Sequence, residues 1–310
     1  MGKQRTGRAV HGILLLDKPA GISSNRALQI TKRLFQANKA GHTGSLDPFA
    51  TGLLPICFGE ATKISGYLLN SDKRYVALAR LGEQTTTGDL DGDLAASAQV
   101  PGIGQEDIQA AMHTMCGESE QIPPMFSAIK QDGTRLYEFA RAGVEVERQP
   151  RSITIHEFKC LDWNPPDLRF VVHCSKGTYV RTLAEDLASR LGSLAHLREL
   201  RRTQAGVFQG EDMVSVDELS ALEGDEAALD GQLLPLDAAL PHLDSVSLDD
   251  SQVRAICQGQ KIQTTPATAA GIVRIYTCNG EILGLGELRE DGSLAPKRLF
   301  SGLVPENQAG

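Results

Sequence analysis

A lone carboxylate, Asp47, stands in the stretch GHTGSLDPFATGLLP, residues 41–55, among three glycines and small hydroxyl side chains. Pro48 disfavours helix at Asp47, and glycine lets a backbone approach its neighbour closely. Two interpretations follow from the residues alone. Asp47 caps its own backbone in an ordinary turn, or a shaped loop presents its carboxylate to another group.

Arg181 and Tyr75 also stand at unusual positions in the sequence. Arg181 follows SKGTY in the first turn of a predicted helix, where the macrodipole disfavours a cation. A nearby carboxylate would compensate, and Asp47 is one candidate. The alternative is a surface pair with Glu185, one helical turn on. Tyr75 stands beside a Lys-Arg pair, and its alternative role is that of a strand tyrosine half in the core.

The elements that position these residues are indicated by pattern and capping signals. HGILLLDKPAGISSN predicts a short buried strand, a turn, and a helix capped by Ser23 or Ser24. Alternation over Tyr75 to Leu81 predicts a strand, and residues 105–116 predict a helix. RSITIHEFKCLDW and DLRFVVHC predict two more strands. The helix after SKGTY carries an apolar face, and Gly192 ends it.

The last third of the chain differs in character. Residues 207–250 hold 12 acidic and no basic side chains, which is typical of a linker or a domain edge. Beyond them, Asp249 or Asp250 caps a helix, and Asn279-Gly280 predicts a hairpin turn. The pattern predicts a small β-rich second domain.

Charge is segregated along the chain, although the net charge is −8. Residues 1–80 carry 12 basic and 4 acidic side chains, whereas residues 207–310 carry 6 basic and 17 acidic ones. A polyanion responds to the local field, so nucleic acid remains a possible partner. No apolar run is long enough to span a membrane. The six cysteines are scattered without a CxxC pair, which favours reduced thiols in the cytoplasm and no metal site.

Four ordered motifs resemble the TruB family of tRNA pseudouridine(55) synthases. They are GHTGSLDPFATGLLP, DKRYVALARLG, PPMFSAIK with LYEFARAG, and CSKGTYVRTLAEDL with HLRELRRT, and they lie within residues 10–206. The tail resembles the PUA domain, an RNA-binding β-barrel, that this family carries. The resemblance implies a redox-neutral isomerisation of uridine 55 in the T-loop of tRNA, without a cofactor or a metal.

By this resemblance Asp47 is the catalytic aspartate and Arg181 is its partner. An arginine partner favours the ionised carboxylate, typically lowering an Asp pKa by ~1–3 units. Three routes stay open: Asp47 attacks C6 of the base, attacks C1′, or abstracts a ribose proton. Tyr75 matches the tyrosine that stacks on the target uracil and acts in proton transfer at C5.

The resemblance implies roles for several other residues. Tyr179 and Leu200 match residues that line the uracil pocket. His42 matches the histidine that fills the space left by the flipped nucleotide, and flipping is needed because the reacting atoms are inaccessible in a folded T-loop. Lys18 is expected to stabilise its turn or to bind phosphate. Further RNA backbone contacts are expected from Lys130, Arg135 and Arg141.

The resulting expectation is an α+β catalytic domain on a mixed, largely antiparallel sheet, followed by a small PUA-like barrel. The expected domains are residues 1–245 and 246–310, with an insertion at about 122–152 and an acidic edge at 207–245. The role of the 83–93 loop stays open. The chain is expected to be a cytoplasmic monomer with no obligatory protein partner and no membrane contact. Two rivals are an RNA chaperone, which could coexist with catalysis, and a related guide-dependent enzyme within a ribonucleoprotein.

Overall fold

A computed structural model describes residues 7–264 and 269–300 of the chain. The outer ends of both expected domains, residues 1–6 and 301–310, therefore lie outside the described residues, as do residues 265–268. No helix in the described ranges is long and apolar enough to cross a membrane.

The helices occupy mostly short stretches between strands. Ser23 accepts a hydrogen bond from the Arg26 N–H and so caps the first helix, which selects one of the two serines predicted for this cap. The helix predicted over 105–116 ends earlier, at His113. The helices are α1 (Ser24–Leu34), α2 (Ser65–Leu69), α3 (Gln105–His113), α4 (Leu136–Arg141), α5 (Val180–Arg190), α6 (Val216–Ala221), α7 (Glu226–Asp230) and α8 (Asp250–Cys257).

The strands form one large sheet, one smaller sheet and two short hairpins. They are β1 (Gly12–Lys18), β2 (Ala40–His42), β3 (Thr51–Phe58), β4 (Lys73–Leu81), β5 (Glu83–Thr85), β6 (Leu94–Ser97), β7 (Gly117–Gln121), β8 (Lys130–Gln131), β9 (Thr134–Arg135), β10 (Arg151–Asn164), β11 (Asp167–Cys174), β12 (Ala195–Ala205), β13 (Phe208–Gln209), β14 (Val214–Ser215), β15 (Ser245–Leu248), β16 (Ile262–Gln263), β17 (Gly271–Thr277), β18 (Ile282–Leu288) and β19 (Ser293–Leu299).

The large sheet has ten strands, with the path β14-β1-β3-β12-β4-β11-β10-β7 and with β2 and β13 paired beside it. The β1–β14 and β3–β12 pairs are parallel, and the other pairs are antiparallel. This arrangement confirms the expected α+β fold on a mixed, largely antiparallel sheet. The position of β12 between β3 and β4 places segments of three distant motifs side by side.

The apolar run of β1 is buried on both faces of the sheet. Leu14 and Leu16 face one core, which also contains apolar residues of α1, α3 and α5. Ile13 and Leu15 face a second core on the other side. Because side chains alternate along a strand, a continuous apolar run is what a strand covered on both faces requires.

The C-terminal segment forms the smaller sheet, ordered β15-β17-β18-β19-β16, with α8 packed against it. The turn between β17 and β18 contains Asn279-Gly280, as predicted. Leu285 and Phe300 of this segment share the second core with β1 and β3. The acidic stretch before it contributes Leu236 and Leu240 to the same core, so it packs against the protein. Its assignment as a domain edge stays a prediction. The boundary at 245/246 itself stays a prediction.

Candidate active site

The Asp47 loop is held in shape by contacts from three parts of the chain. Ser24 at the start of α1 accepts a hydrogen bond from the Leu46 N–H at 2.7 Å and donates to the Leu46 carbonyl at 3.0 Å. Lys18 Nζ donates to the Pro48 carbonyl at 3.2 Å. The backbone of Asp47 closes a turn, because its carbonyl accepts the Ala50 N–H at 3.1 Å. The carboxylate is left to face outward from the turn.

Two of the loop glycines stand where steric limits disfavour any other residue. A Cβ on Gly52 would lie 2.3 Å from the Arg202 carbonyl oxygen, so glycine is needed where β3 passes close to β12. Gly44 has a φ of +118°, a backbone conformation that disfavours other residues. A Cβ on Gly41 would meet open space, so neither reason applies there. The glycines thus let the loop lie close against β12.

Arg181 and Asp47 form an ion pair. Arg181 Nε lies 3.0 Å from Asp47 Oδ2, and the Arg181 side chain is only 3% exposed whereas that of Asp47 is 36% exposed. A second carboxylate, Asp89, lies 3.4 Å from Arg181 Nη1. The two carboxylates supply the compensation that a cation in the first turn of α5 requires. The alternative surface pair with Glu185 is not the arrangement seen.

Both terminal nitrogens of Arg181 also donate to backbone carbonyls. Nη1 donates to the Thr87 carbonyl at 2.6 Å and Nη2 donates to the Phe126 carbonyl at 2.7 Å. Arg181 therefore joins the Asp47 loop to two other segments, the 83–93 loop and the base of the 122–152 insertion. The planar guanidinium makes these bonds in fixed directions.

Asp89 is a site residue that the sequence did not single out. It is buried, and its Oδ1 accepts hydrogen bonds from Thr87 Oγ1 at 2.5 Å and from the Asp91 N–H at 3.1 Å. The loop backbone thus fixes this carboxylate behind Arg181. Three aspartates alternate in the 83–93 loop, and no local signal distinguishes the buried one from its exposed neighbours. This contact gives the loop a structural role that was left open.

Burial raises the pKa of Asp47, and this effect outweighs the lowering by Arg181. Asp89 adds a second negative charge nearby and also raises the pKa of Asp47. The arginine acts in the expected direction, but the net shift is upward because the surrounding protein reduces the solvation of the carboxylate, although 36% of the Asp47 side chain stays exposed. The site therefore holds Asp47 as a carboxylate that is more basic than an ordinary one.

Tyr75 lies on β4 directly opposite Arg202 on β12. Burial raises the pKa of its phenol, and the nearby Arg202 charge lowers it. The Asp47 charge also acts on Tyr75, which places the two in one electrostatic neighbourhood. Leu200 is two residues before Arg202 on the same strand, so its buried side chain lies on the same face of the sheet.

Tyr179 immediately precedes α5, and Gln121 holds its backbone. Gln121 Oε1 accepts the Tyr179 N–H at 2.8 Å, and Gln121 Nε2 donates to the Tyr179 carbonyl at 3.2 Å. Burial raises the pKa of Tyr179, and the Asp47 charge contributes in the same direction. The structure thus brings Asp47, Arg181, Tyr75 and Tyr179 together from three separate motifs.

His42 ends β2, on the approach to the Asp47 loop. Its Nδ1 is buried and has no hydrogen-bond partner in the described part of the chain. Burial lowers the pKa of His42, and Arg202 lowers it further, so both effects favour the neutral imidazole. A buried ring nitrogen without a partner, beside the Asp47 loop, is left free to bond with a group that binds there.

Lys18 is fully buried, and its ammonium donates to three carbonyls, those of Pro19, Ile22 and Pro48. These bonds favour its role in stabilising the turn over a contact with phosphate. Lys130, Arg135 and Arg141 differ from it because all three are exposed. Arg135 and Arg141 flank the Tyr137 ring, with guanidinium carbons 5.8 and 5.4 Å from its centroid. Their contacts with RNA stay predictions.

The described residues contain no group of three or more His, Cys, Asp or Glu side chains arranged to hold a metal ion. The chemistry available around Asp47 is that of a carboxylate beside a guanidinium, with two tyrosines and the apolar side chain of Leu200.

Comparisons with known proteins point to one family. A model described as TruB family pseudouridylate synthase (N terminal domain) matches residues 32–180. A model for the tRNA pseudouridylate synthase B C-terminal domain matches residues 181–241. A model described as Pseudouridine synthase II TruB, C-terminal, matches residues 245–300.

Proteins named tRNA pseudouridine synthase B are similar to this chain over nearly its whole length. That of Nitrosococcus oceani is 49% identical over 97% of this chain and 98% of its own. That of Methylobacillus flagellatus is 48% identical over 96% and 97%.

Solved structures agree on the fold. A chain from a Cbf5-Nop10-Gar1 complex superimposes with a TM-score of 0.71 at 26% identity, covering 97% of this chain and 87% of that one. A chain from an archaeal box H/ACA sRNP Nop10-Cbf5 complex gives 0.70 at 24% identity, over 100% and 94%, and this second likeness bears on the fold alone. Because its sequence matches the family models and is similar to these relatives over nearly their whole length, the chain belongs to the TruB family of pseudouridylate synthases.

Proposed function

We propose that this chain isomerises uridine 55 in the T-loop of tRNA to pseudouridine, with Asp47 as its catalytic carboxylate. One observation carries the assignment of residues: the Asp47–Arg181 ion pair at 3.0 Å, close enough to Tyr75 for the Asp47 charge to act on its phenol. The reaction breaks N1–C1′, turns the uracil, and joins C5 to C1′. The base loses a proton at C5 and gains one at N1, so no electrons leave the substrate.

Each neighbour of Asp47 has a task in this reaction. Arg181 holds the carboxylate in place and favours its ionised form, which can attack or stabilise the detached sugar. Tyr75 stacks on the uracil, and its hydroxyl takes part in proton transfer at C5. Tyr179 and Leu200 line the pocket, and His42 occupies the space left by the extruded nucleotide.

The exposed cations around the Asp47 site are suited to binding a folded RNA. Exposed cations on the 122–152 insertion, Lys130, Arg135 and Arg141, lie on a segment joined to the active site through the Phe126 carbonyl. Positive side chains of this kind supply phosphate contacts and steer the RNA. The basic N-terminal third of the sequence carries 12 basic side chains against 4 acidic ones.

The proposed enzyme acts alone, as a monomer in the cytoplasm and without a guide RNA. The solved chains similar to it come from Cbf5 complexes, so the guide-dependent arrangement is the rival to exclude. The test is to incubate purified protein with an unmodified tRNA transcript and to map pseudouridine at single-nucleotide resolution. Pseudouridine at position 55 alone is the expected result. No product until other proteins or a guide RNA are added would contradict the proposal.

A tRNA-folding activity could coexist with the chemistry. The discriminating variant is Asp47→Asn, because it removes the carboxylate and leaves the RNA-binding surface in place. Faster refolding of misfolded tRNA by this inactive variant would establish the chaperone activity separately. Equal refolding with and without the variant would exclude it.

A further inference from the structure

Arg202 is a buried cation that the mechanism above does not use. It is 1% exposed, and no carboxylate lies within 4.0 Å of its guanidinium in residues 7–264 and 269–300. Arg201, the preceding residue, is by contrast paired with Asp17 at 2.7 Å. A buried charge without a counter-charge is costly, and such groups cluster at functional sites.

The guanidinium of Arg202 holds both sides of the catalytic loop. Its Nε donates to the Leu53 carbonyl at 2.6 Å, and its Nη2 donates to the Gly44 carbonyl at 3.1 Å. These carbonyls lie before and after Asp47 in the chain. The contacts therefore fix Arg202 itself as firmly as they fix the loop, and they leave the Nη1 hydrogens for another acceptor.

The Arg202 charge acts on Lys18, His42 and Lys73 as well as on Tyr75. Of these groups, Tyr75 is the one that lies directly across the strand pair. Arg202 and Tyr75 lie directly opposite each other on β12 and β4, with their side chains on one face of the sheet. Arginine can only donate, so any hydrogen bond between them is accepted by the phenol oxygen. The Arg202 charge and its N–H groups lower the pKa of the Tyr75 phenol, against the larger effect of burial, which raises it.

We propose that Arg202 is the positioning residue of Tyr75: it donates to the phenol oxygen, fixes its direction and stabilises the phenolate that accepts the C5 proton. This inference rests on the proposed function. The two buried arginines of the site then have different roles. Arg181 serves the carboxylate of Asp47, and Arg202 serves the phenol of Tyr75.

The proton step balances as follows. Once C5 is bonded to C1′, the C5–H bond breaks and its proton passes to the Tyr75 phenolate oxygen. The electron pair of that bond becomes the C5=C6 double bond, and the π pair of C6=N1 moves to N1, which takes a proton from solvent. The phenol returns its proton to solvent before the next turnover. Because burial raises the pKa of this phenol, the phenolate is its minor form, and the Arg202 charge increases the share of that form.

The first test measures single-turnover pseudouridine formation by Arg202→Gln and Arg202→Lys. Arg198→Lys is the matched control, since this residue is on the same strand and its side chain is 47% exposed beside Asp167. We expect Arg202→Gln to slow the reaction by about tenfold to a hundredfold, the lower range for a proton-transfer effect. The affinity for tRNA should change less than about threefold, because the side chain is buried away from the RNA. Arg202→Lys keeps the charge without the planar fork, so its rate should be intermediate, and the control should match the wild type.

The second test asks whether Arg202 acts through Tyr75. In the Tyr75→Phe background, Arg202→Gln should change the rate by less than about threefold, because the partner is already absent. Replacing Tyr75 with a fluorinated tyrosine, whose phenol is more acidic, should restore much of the rate of Arg202→Gln and of Arg202→Lys near neutral pH. Raising the pH should have the same effect.

Equal losses in both backgrounds, with no rescue by the fluorinated tyrosine, would show that Arg202 only holds the loop and would overturn the proposal. If Arg202→Gln does not fold, the rescue of Arg202→Lys decides the question alone. An inactive wild-type protein would instead contradict the proposed function, so the two failures are distinguishable.

Discussion

Nε of Arg181 lies 3.0 Å from Oδ2 of Asp47, and this contact places a helix-start arginine against a loop carboxylate from a distant motif. On the far side of the same guanidinium, Asp89 lies 3.4 Å from Nη1. One cation therefore stands between two carboxylates. Because the Asp89 side chain is 7% exposed and that of Asp47 is 36% exposed, only Asp47 is accessible to a bound nucleotide.

Asp47→Asn should abolish isomerisation and leave tRNA affinity within about tenfold of the wild type, because an amide cannot act as an ionised nucleophile but disturbs few RNA contacts. The measurements are single-turnover rates and filter binding. Protein must be checked by mass for deamidation back to Asp. More than a few per cent of the wild-type rate in intact Asn protein would exclude Asp47 as the catalytic carboxylate.

Arg181→Lys should lower the rate severely, since one ammonium cannot reach Asp47, Asp89 and the carbonyls of Thr87 and Phe126 together. Arg181→Met should do worse and should also destabilise the fold, by about 3–5 kcal/mol, because Asp89 is left buried without its cation. Denaturant unfolding separates this stability loss from the catalytic loss. Near-normal rates in both folded variants would reduce Arg181 to a structural residue.

Asp89→Asn tests the second carboxylate, and Asp91→Asn is its control because Asp91 is exposed in the same loop. We expect Asp89→Asn to slow isomerisation, since the amide weakens the hold on the Arg181 guanidinium. Asp91→Asn should retain most of the rate, although its backbone N–H contacts Asp89. Equal rates in the two variants would mean that the buried position of Asp89 has no catalytic consequence.

The pH dependence follows from the raised pKa of Asp47. The ionised form is needed, so activity is present above the pKa of the folded protein and is lost as the pH falls through it. An ordinary Asp titrates at about pH 4, and the loss of activity should begin at a higher pH than this. Asp89→Asn removes a charge that raises this pKa, so it should move the acid limb to lower pH. An acid limb at the ordinary position in the wild type would contradict the burial argument.

Deleting residues from about 250 onward tests the division into two domains. The deletion removes Leu285 and Phe300 and uncovers Ile13 and Leu15, so the melting temperature should fall. Below that temperature the truncated protein should still modify an isolated T-arm hairpin. Whole-tRNA affinity should fall moderately with little change in salt slope, since residues 251–310 carry 6 basic and 5 acidic side chains. A folded truncation that is inactive on the hairpin would show that the second domain helps to build the site.

The sequence by itself determined the local elements and singled out the main candidate catalytic residues. A cap at Ser23 or Ser24, the hairpin turn at Asn279-Gly280 and the apolar face of α5 depend on residues close in the chain, and they were predicted. The structure selected Ser23 for the cap. Asp47, Arg181 and Tyr75 were found because each stands where its type is locally unusual, and because ordered motifs resemble one family. The fold class came from the same resemblance.

Only the tertiary structure decided which distant side chains meet, because contacts between separate strands and loops leave no periodic signal. Asp89 became the second partner of Arg181 when the 83–93 loop folded behind α5, and Arg202 became the neighbour of Tyr75 through the β4–β12 register. The ammonium of Lys18 is buried and donates hydrogen bonds to three backbone carbonyls. The upward shift in the Asp47 pKa likewise depends on burial, which sequence spacing does not express, whereas the effect of a paired arginine could be anticipated.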